Sequence, residues 1–460
     1  LAILIKNARY LIQDADTVLE GADLVIRGNR IASVSPTGGE PGVGDGAGAG
    51  PVEEVIDATE KVVIPGFVNA HTHLYQNLLK NVREDLPLKQ WCEEVTFPFA
   101  DVVHQDHWQR NDISVGYAWS VLGAMEMVRS GITSFIDMDL TLDTIFEAWL
   151  DVGVRGIAAI TMVNRWVPKD LMRDDSVRKA EVLSYVDRWT GSAGRGLVQV
   201  VLAPSTPFAC TPDMLAWIRS IADQRDLGVQ THVSETRWEV EQSTRETGTT
   251  PLAYLDSLGF LKGHLTAAHC VHLTAAEIDL VQERGVIPIY NPKSNMKLGS
   301  GVAPVARMLR QGIPVALATD GAASNDIMDM FEEMRVGALL QKVAAEDPSV
   351  ISARDMFRMA TSNGARAARL DAGELKPGKL ADLVILDLNQ VHTSPIHDIV
   401  QALVLCGKAA DVETVLIDGK AVMRDRRFTT ISEEETFQRA VAIGADRYER
   451  SRQKTLKAEF

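Results

Sequence analysis

Val63-Ile64-Pro65-Gly66-Phe67-Val68-Asn69-Ala70-His71-Thr72-His73 is an apolar run that ends in two histidines. In a β-strand alternate side chains share a face, so His71 and His73 point one way and Thr72 the other. Two imidazoles on one face can grip one metal ion. An isolated His-x-His is more often a pair of surface residues, but this one closes an apolar strand and has metal-competent partners downstream.

Working outward, the chain alternates strands and helices, the pattern of a parallel sheet. The strands expected are Val62 to Val68, Ser134 to Met138, Arg155 to Met162, Val198 to Ala203, Gly228 to His232, Leu265 to His269, Val286 to Tyr290 and Val315 to Thr319. Helices are expected between them, among them Trp108 to Ser130, Thr211 to Gln224 and Thr274 to Arg284. Eight such units predict an α/β fold of the closed (β/α)8 barrel type, over residues 62–372. No glycine-rich phosphate loop follows any strand.

Both ends read as β structure. Ala2 to Lys6, Ala22 to Arg27 and Arg30 to Val34, with a Gly28-Asn29 turn, are mirrored by Ala381 to Leu386 and Val412 to Lys420, with an Asp418-Gly419 turn. Residues 1–61 and 373–430 are therefore expected to form one small β-sandwich. A glycine-rich surface loop is expected over Gly38 to Pro51, and a C-terminal helix from Glu433 to about Leu456, within residues 431–460.

The composition is ordinary for a globular chain: 46% apolar and 24% charged over 460 residues. With no apolar run of about 18 residues and no signal pattern, a soluble, cytoplasmic protein is expected. Lys and Arg total 47 against 62 Asp and Glu, a net charge of −15, which disfavours nucleic acid or an anionic membrane and favours a small neutral or cationic substrate. Cys92, Cys210, Cys270 and Cys406 form no C-x-x-C, so they are expected to be reduced and mostly in the core.

Barrel active sites lie at the C-terminal strand ends. There the sequence places His71 and His73, then Thr231-His232-Val233-Ser234-Glu235, Ala268-His269-Cys270 and Thr319-Asp320-Gly321. His71, His73, His232 and Asp320 are assigned as ligands of one catalytic ion, a zinc-type set that leaves a position for water. A bound divalent ion lowers the pKa of water from about 15.7 toward about 7, which supplies a nucleophile. Glu235 is assigned to move the proton, Asp320 to share that work, and His269 to orient the attacking or developing oxygen. His104, His107, His264, His392 and His397 are read as structural or exposed. A non-catalytic scaffold barrel would carry eroded ligands, and none of these is eroded.

Taken together, P-G-F-V-N-A-H-T-H, T-H-V-S-E, A-A-H-C-V-H and A-T-D-G-A-A-S-N-D resemble the amidohydrolase superfamily, in its aminohydrolase branch. The resemblance spans nearly the whole chain. It implies one divalent metal, zinc or sometimes iron, on the four ligands named, with catalytic roles for Glu235 and His269. Relatives with two metals carry a lysine at the fourth strand end; Ala203-Pro204-Ser205-Thr206-Pro207 has none, so a single ion is implied.

Arg83 to Trp91, Asn295 to Pro304 and Asp320 to Asn325 look most like the methylthioadenosine and adenosylhomocysteine deaminases. That likeness implies that Glu84 holds ribose hydroxyls, that Trp91 walls the pocket, that Ser324 meets the heterocycle and that Arg165 meets a substrate carboxylate. Ser205 stands where nucleoside deaminases usually have a histidine, a feature shared with triazine and 8-oxoguanine relatives. The expected activity is hydrolytic deamination of an amino-substituted N-heterocycle, foremost an adenosine-type thioether nucleoside. The alternative is an s-triazine or nucleobase aminohydrolase or chlorohydrolase. A homo-oligomer, dimer or tetramer, is expected of such a family. The cluster Met328, Met330, Phe331, Met334 and Val336 is a candidate interface, although at helical spacing such residues are more often core.

Overall fold

The computed structural model describes residues 2–38, 51–140, 142–190 and 192–456; the body of the expected glycine-rich loop, residues 39–50, lies outside them. The N-terminal part supplies β1 (Ala2–Ile12), β2 (Val18–Arg27), β3 (Arg30–Pro36), β4 (Glu54–Asp57) and β5 (Val62–Pro65). The middle supplies β6 (Phe67–Thr72), β7 (Ile132–Asp137), β8 (Arg155–Met162), β9 (Val198–Pro204), β10 (Val229–Val233), β11 (Leu265–His269), β12 (Ile287–Tyr290) and β13 (Ala316–Leu317). The C-terminal part adds β14 (Leu383–Leu386), β15 (Val412–Ile417), β16 (Lys420–Arg424) and β17 (Arg427–Phe428).

Strands β6 to β13 are parallel and follow chain order, the (β/α)8 barrel expected. The seam between β13 and β6 is tied by side chains as well as backbone. The Asn69 amide donates to Thr319 Oγ1 at 2.7 Å and accepts from the Thr319 N–H at 3.0 Å, and the Asp320 N–H donates to the His71 carbonyl at 3.1 Å. These bonds set the end of β6 beside the segment that carries Asp320.

The remaining strands run β17-β16-β15-β14-β5-β1-β2-β3, with β4 also on β1, and make the small sandwich from both chain ends. Its two halves meet at their hairpin tips. Asp418 and Gly419 both have positive φ (54° and 70°), as the tight β15–β16 turn requires, and a Cβ on Gly419 would sit 2.0 Å from the Gly28 carbonyl oxygen. Asn29 donates across the gap to Asp418 Oδ1 at 3.0 Å.

Three expectations need correction. The run from Val62 to Val68 is two strands: β5 pairs with β1 and β14 in the sandwich, and β6 begins the barrel. Pro65 lacks an N–H for the ladder, and Gly66 passes so close to Thr133 that a Cβ would lie 2.2 Å from its Oγ1, so the chain changes sheets there. The helix expected from Trp108 to Ser130 is two, Phe97–Arg110 and Ser114–Arg129, because Asn111 takes a left-handed conformation (φ 52°) and ends the first. Met328, Met330, Phe331 and Met334 are core, each 0–1% exposed, so they offer no interface, and Val336 is half-buried.

Barrel and sandwich are joined by a buried ion pair. Arg155, first residue of β8, donates from Nε to Asp382 Oδ2 at 2.8 Å and from Nη2 to Oδ1 at 3.1 Å, with side chains 3% and 1% exposed. Removing one partner leaves a buried charge uncompensated, at a cost of about 3–5 kcal/mol. Arg155 also meets Asp418 at 3.1 Å, whereas among the described residues Arg155 is the one cation paired with Asp382, so Arg155→Leu is expected to destabilise the fold by that amount in denaturant unfolding; a loss below about 1 kcal/mol would show that the pair does not hold the two parts together.

Candidate active site

The residues at the C-terminal strand ends converge. His71 leaves the inner face of β6 and His73 follows it; His232 lies on β10, His269 ends β11, and Asp320 follows β13. The imidazoles are turned by what their Nδ1 atoms meet. His71 Nδ1 faces Gln230 Oε1 at 2.8 Å, His73 Nδ1 faces the Met138 carbonyl, His232 Nδ1 faces the Ser205 carbonyl at 2.6 Å, and His269 Nδ1 faces Asn295 Oδ1 at 2.9 Å. A carbonyl oxygen only accepts, so each Nδ1 carries the proton and each Nε2 presents a lone pair. Gln230 cannot flip without loss, because its amide nitrogen donates to the Ala70 carbonyl at 3.0 Å and to Thr266 Oγ1 at 3.1 Å.

The inward nitrogens fit a cation. His73 Nε2 and His232 Nε2 lie 3.2 Å apart, and Asp320 Oδ1 is 3.4 Å from both His71 Nε2 and His73 Nε2. Ligands about 2.05 Å from a tetrahedral ion sit roughly 3.4 Å from one another. Buried His71 Nε2 has no hydrogen-bond partner, and two lone pairs facing each other at 3.2 Å repel unless positive charge lies between them. Burial and neighbouring His71 push His73 down to about 4 and His232 well below its ordinary range, which keeps both rings neutral. Burial works against the Asp320 carboxylate, but the neighbouring imidazoles of His71, His269 and His73 outweigh it and hold the acid well below the usual carboxylate range. Its other oxygen, Oδ2, accepts from Ser294 at 2.5 Å and Ser324 at 3.2 Å.

Glu235 lies beside this cluster, its Oε2 at 3.5 Å from His269 Nε2 and its Oε1 accepting from the Ser300 hydroxyl at 3.3 Å. Burial, helped by the charge of Asp320, pushes its carboxyl up to about 8. Ser234, His269, Cys270 and Asp320 all have positive φ (51°, 71°, 51° and 61°), a conformation that non-glycine residues adopt at a cost and that clusters at working sites.

An inner chamber of about 150 Å³ is lined by His73, His232, Glu235, His269, Asp320 and Ser324, with Trp91 and Ser205 in its wall. A second cavity of about 470 Å³ adjoins it and shares Tyr75, Thr96, Phe97, Val163, Val167 and Ser205. His104 and His107, read as structural or exposed, line this outer cavity. Glu84 and Arg165 are not brought to either space: Glu84 is exposed, and Arg165 pairs with Glu246 at 2.8 Å.

Several residues that matter here went unsingled in the sequence. Gln230 shares the inner face of β10 with His232, and that two-residue spacing was the available signal. Asp137 and Asp139 grip the start of the next segment, accepting from the Leu74 N–H at 2.8 Å and the Tyr75 N–H at 3.1 Å, while Met138 between them takes His73. Nothing local announces that clamp.

A barrel with this donor set at its mouth defines a class, and residues 62–422 match the model of the amidohydrolase family. The chain belongs to that family and is an enzyme, a hydrolase of C–N bonds. More particularly, it is 40% identical to the 5'-deoxyadenosine deaminase of Methanothermobacter thermautotrophicus, over 97% of this chain and 98% of that one. It is 39% identical to the 5-methylthioadenosine/S-adenosylhomocysteine deaminase of Desulforudis audaxviator, over 96% and 97% of the two chains. Its structure matches an adenosine deaminase from Xanthomonas campestris with bound zinc at a TM-score of 0.87, with 30% identity and 98% of each chain covered.

Gln230→Leu removes the acceptor that fixes the His71 tautomer. Metal affinity, read by chelator competition, is expected to fall roughly 10–100-fold. Unchanged affinity would mean that His71 does not depend on that bond.

Proposed function

We propose that the protein is a metal-dependent hydrolytic deaminase of an amino-substituted N-heterocycle, releasing ammonia, with a 5'-thioether or 5'-deoxy adenosine nucleoside as its preferred substrate. The observation that carries this reading is the buried Glu235–His269 pair, facing the cluster of inward nitrogens in a chamber that adjoins a larger one. The inner chamber suits the heterocycle, and the outer cavity, reached past Ser205, suits the ribose and its 5' substituent.

His71, His73, His232 and Asp320 would hold one divalent ion, and zinc is the metal in the Xanthomonas relative. When bound, such an ion supplies Lewis acidity that makes water a nucleophile near neutral pH. The chain's own residues do the rest. Glu235, with Ser300 on one oxygen and His269 near the other, moves one proton from the attacking water to the ring nitrogen, and then a second from the added hydroxyl to the departing amine, which leaves as ammonia. His269, its Nδ1–H held by Asn295, orients the attacking water by accepting one of its hydrogens at Nε2. Trp91 and Ser324 wall the heterocycle, and burial around them excludes water.

A second reading has its own support. Ser205 in place of a histidine and an exposed Glu84 leave ribose recognition without the residues expected for it, which favours a free nucleobase or triazine as substrate, chloride or alkylamine displacement included. A cytoplasmic homo-oligomer completes the proposal; among the described residues no helix is long and apolar enough to cross a membrane, and Leu339 and Val343, one helical turn apart, are 52% and 76% exposed.

The deciding experiment is ammonia release by zinc-loaded protein from methylthioadenosine, adenosylhomocysteine, 5'-deoxyadenosine, adenosine, guanine, 8-oxoguanine, cytosine and amino-triazines. A thioether or deoxy adenosine is expected to be the best substrate, and Glu235→Gln to lower kcat by roughly 10²–10⁴-fold. Activity confined to bases or triazines would move the assignment to the second reading.

A further inference from the structure

We propose that Glu239 is a positioning residue for the reaction: its carboxylate clamps the backbone of Ser234 and Glu235 and thereby aims the Glu235 carboxyl. The inference rests on the deaminase reading for what Glu235 does, and on geometry for how Glu239 holds it. Glu239 Oε1 accepts from the Ser234 N–H at 2.9 Å and Oε2 from the Glu235 N–H at 2.6 Å. Glu239 is 1% exposed and reaches the wall of the inner chamber.

The contrast with other helix starts in the chain is informative. Thr274 and Glu277 form an ordinary capping box, in which the glutamate at the third helical position returns to the N-cap N–H; Ser352 and Asp355 do the same. Glu239 holds that same third position after the Thr236 N-cap, and Thr236 Oγ1 accepts its N–H at 3.2 Å. Its side chain nevertheless passes the N-cap and takes the two preceding amides. Those amides converge because Ser234 is left-handed (φ 51°), a concave arrangement that suits an anion. The other side of the segment is also held: the Ser234 carbonyl accepts from the His272 N–H at 2.9 Å, and the Val233 carbonyl from the Cys270 N–H at 3.0 Å. Glu239 thus completes a cage around the one backbone turn that carries Glu235.

Glutamine at 239 keeps the shape but sets an NH2 donor against one of the two N–H donors. Zinc-loaded Glu239→Gln is expected to lose roughly 10–100-fold in kcat, with KM and metal content unchanged. Amide hydrogen exchange of the peptide spanning 233–236 should accelerate. Thr236→Ala removes the hydroxyl that accepts the Glu239 N–H but leaves both bonds of the Glu239 carboxylate; its thermal midpoint should fall while kcat stays. Should Glu239→Gln fail to fold, Glu239→Asp, one methylene too short to span both amides, should show the same selective loss. Wild-type kcat in the folded variant, or an equal kcat loss in Thr236→Ala, would overturn the proposal. If the wild type deaminates nothing, the functional reading falls, while exchange at 233–236 still decides whether Glu239 holds the turn.

Discussion

Everything at the barrel mouth depends on which ring nitrogen of each histidine carries the proton. Carbonyl oxygens of Gln230, Met138, Ser205 and Asn295 take the Nδ1–H of His71, His73, His232 and His269, so the four Nε2 lone pairs are turned toward one buried space. In water such lone pairs would be hydrated. Here His71 Nε2 has no partner in the protein, and the arrangement is favourable only with a positive charge among the nitrogens.

That constraint explains how much of the surrounding structure is polar and yet buried. Gln230, Asn69, Thr319, Ser294 and Asn295 are 0–1% exposed. Each is placed to hold one of the clustered imidazoles or Asp320, or to close the barrel so that groups from different strands meet. The Asn69–Thr319 pair joins the first and last strands, and without closure Asp320 would not lie 3.4 Å from His71. The left-handed residues at the strand ends belong to the same account: each bends the chain out of its strand at the point where a side chain must face the cluster.

The two ends of the chain have a different task. They build a sandwich whose hairpin tips interlock, and the Arg155–Asp382 pair ties it to the bottom of the barrel, away from the chemistry. Only Gly66 separates β5 from β6, so the segment that starts the barrel also anchors the second sheet. Strand alternation alone could not show that division, because both halves are apolar and buried.

The sequence by itself determined the fold class, through eight apolar runs separated by helical stretches, and it placed His71, His73, His232, His269 and Asp320 at strand ends. Periodicity is local, and a two-residue repeat dictates which face a side chain takes whatever surrounds it. Tertiary structure decided the rest. Glu84 and Arg165 lie outside the cavities, while His104 and His107, on the helix Phe97–Arg110, line one, because where a loop or an outer helix lies depends on packing that no local pattern encodes. The clamps by Asp137, Asp139 and Glu239 likewise join side chains to backbone N–H groups, and every residue carries such a group alike; only the folded chain determines which of them a carboxylate reaches.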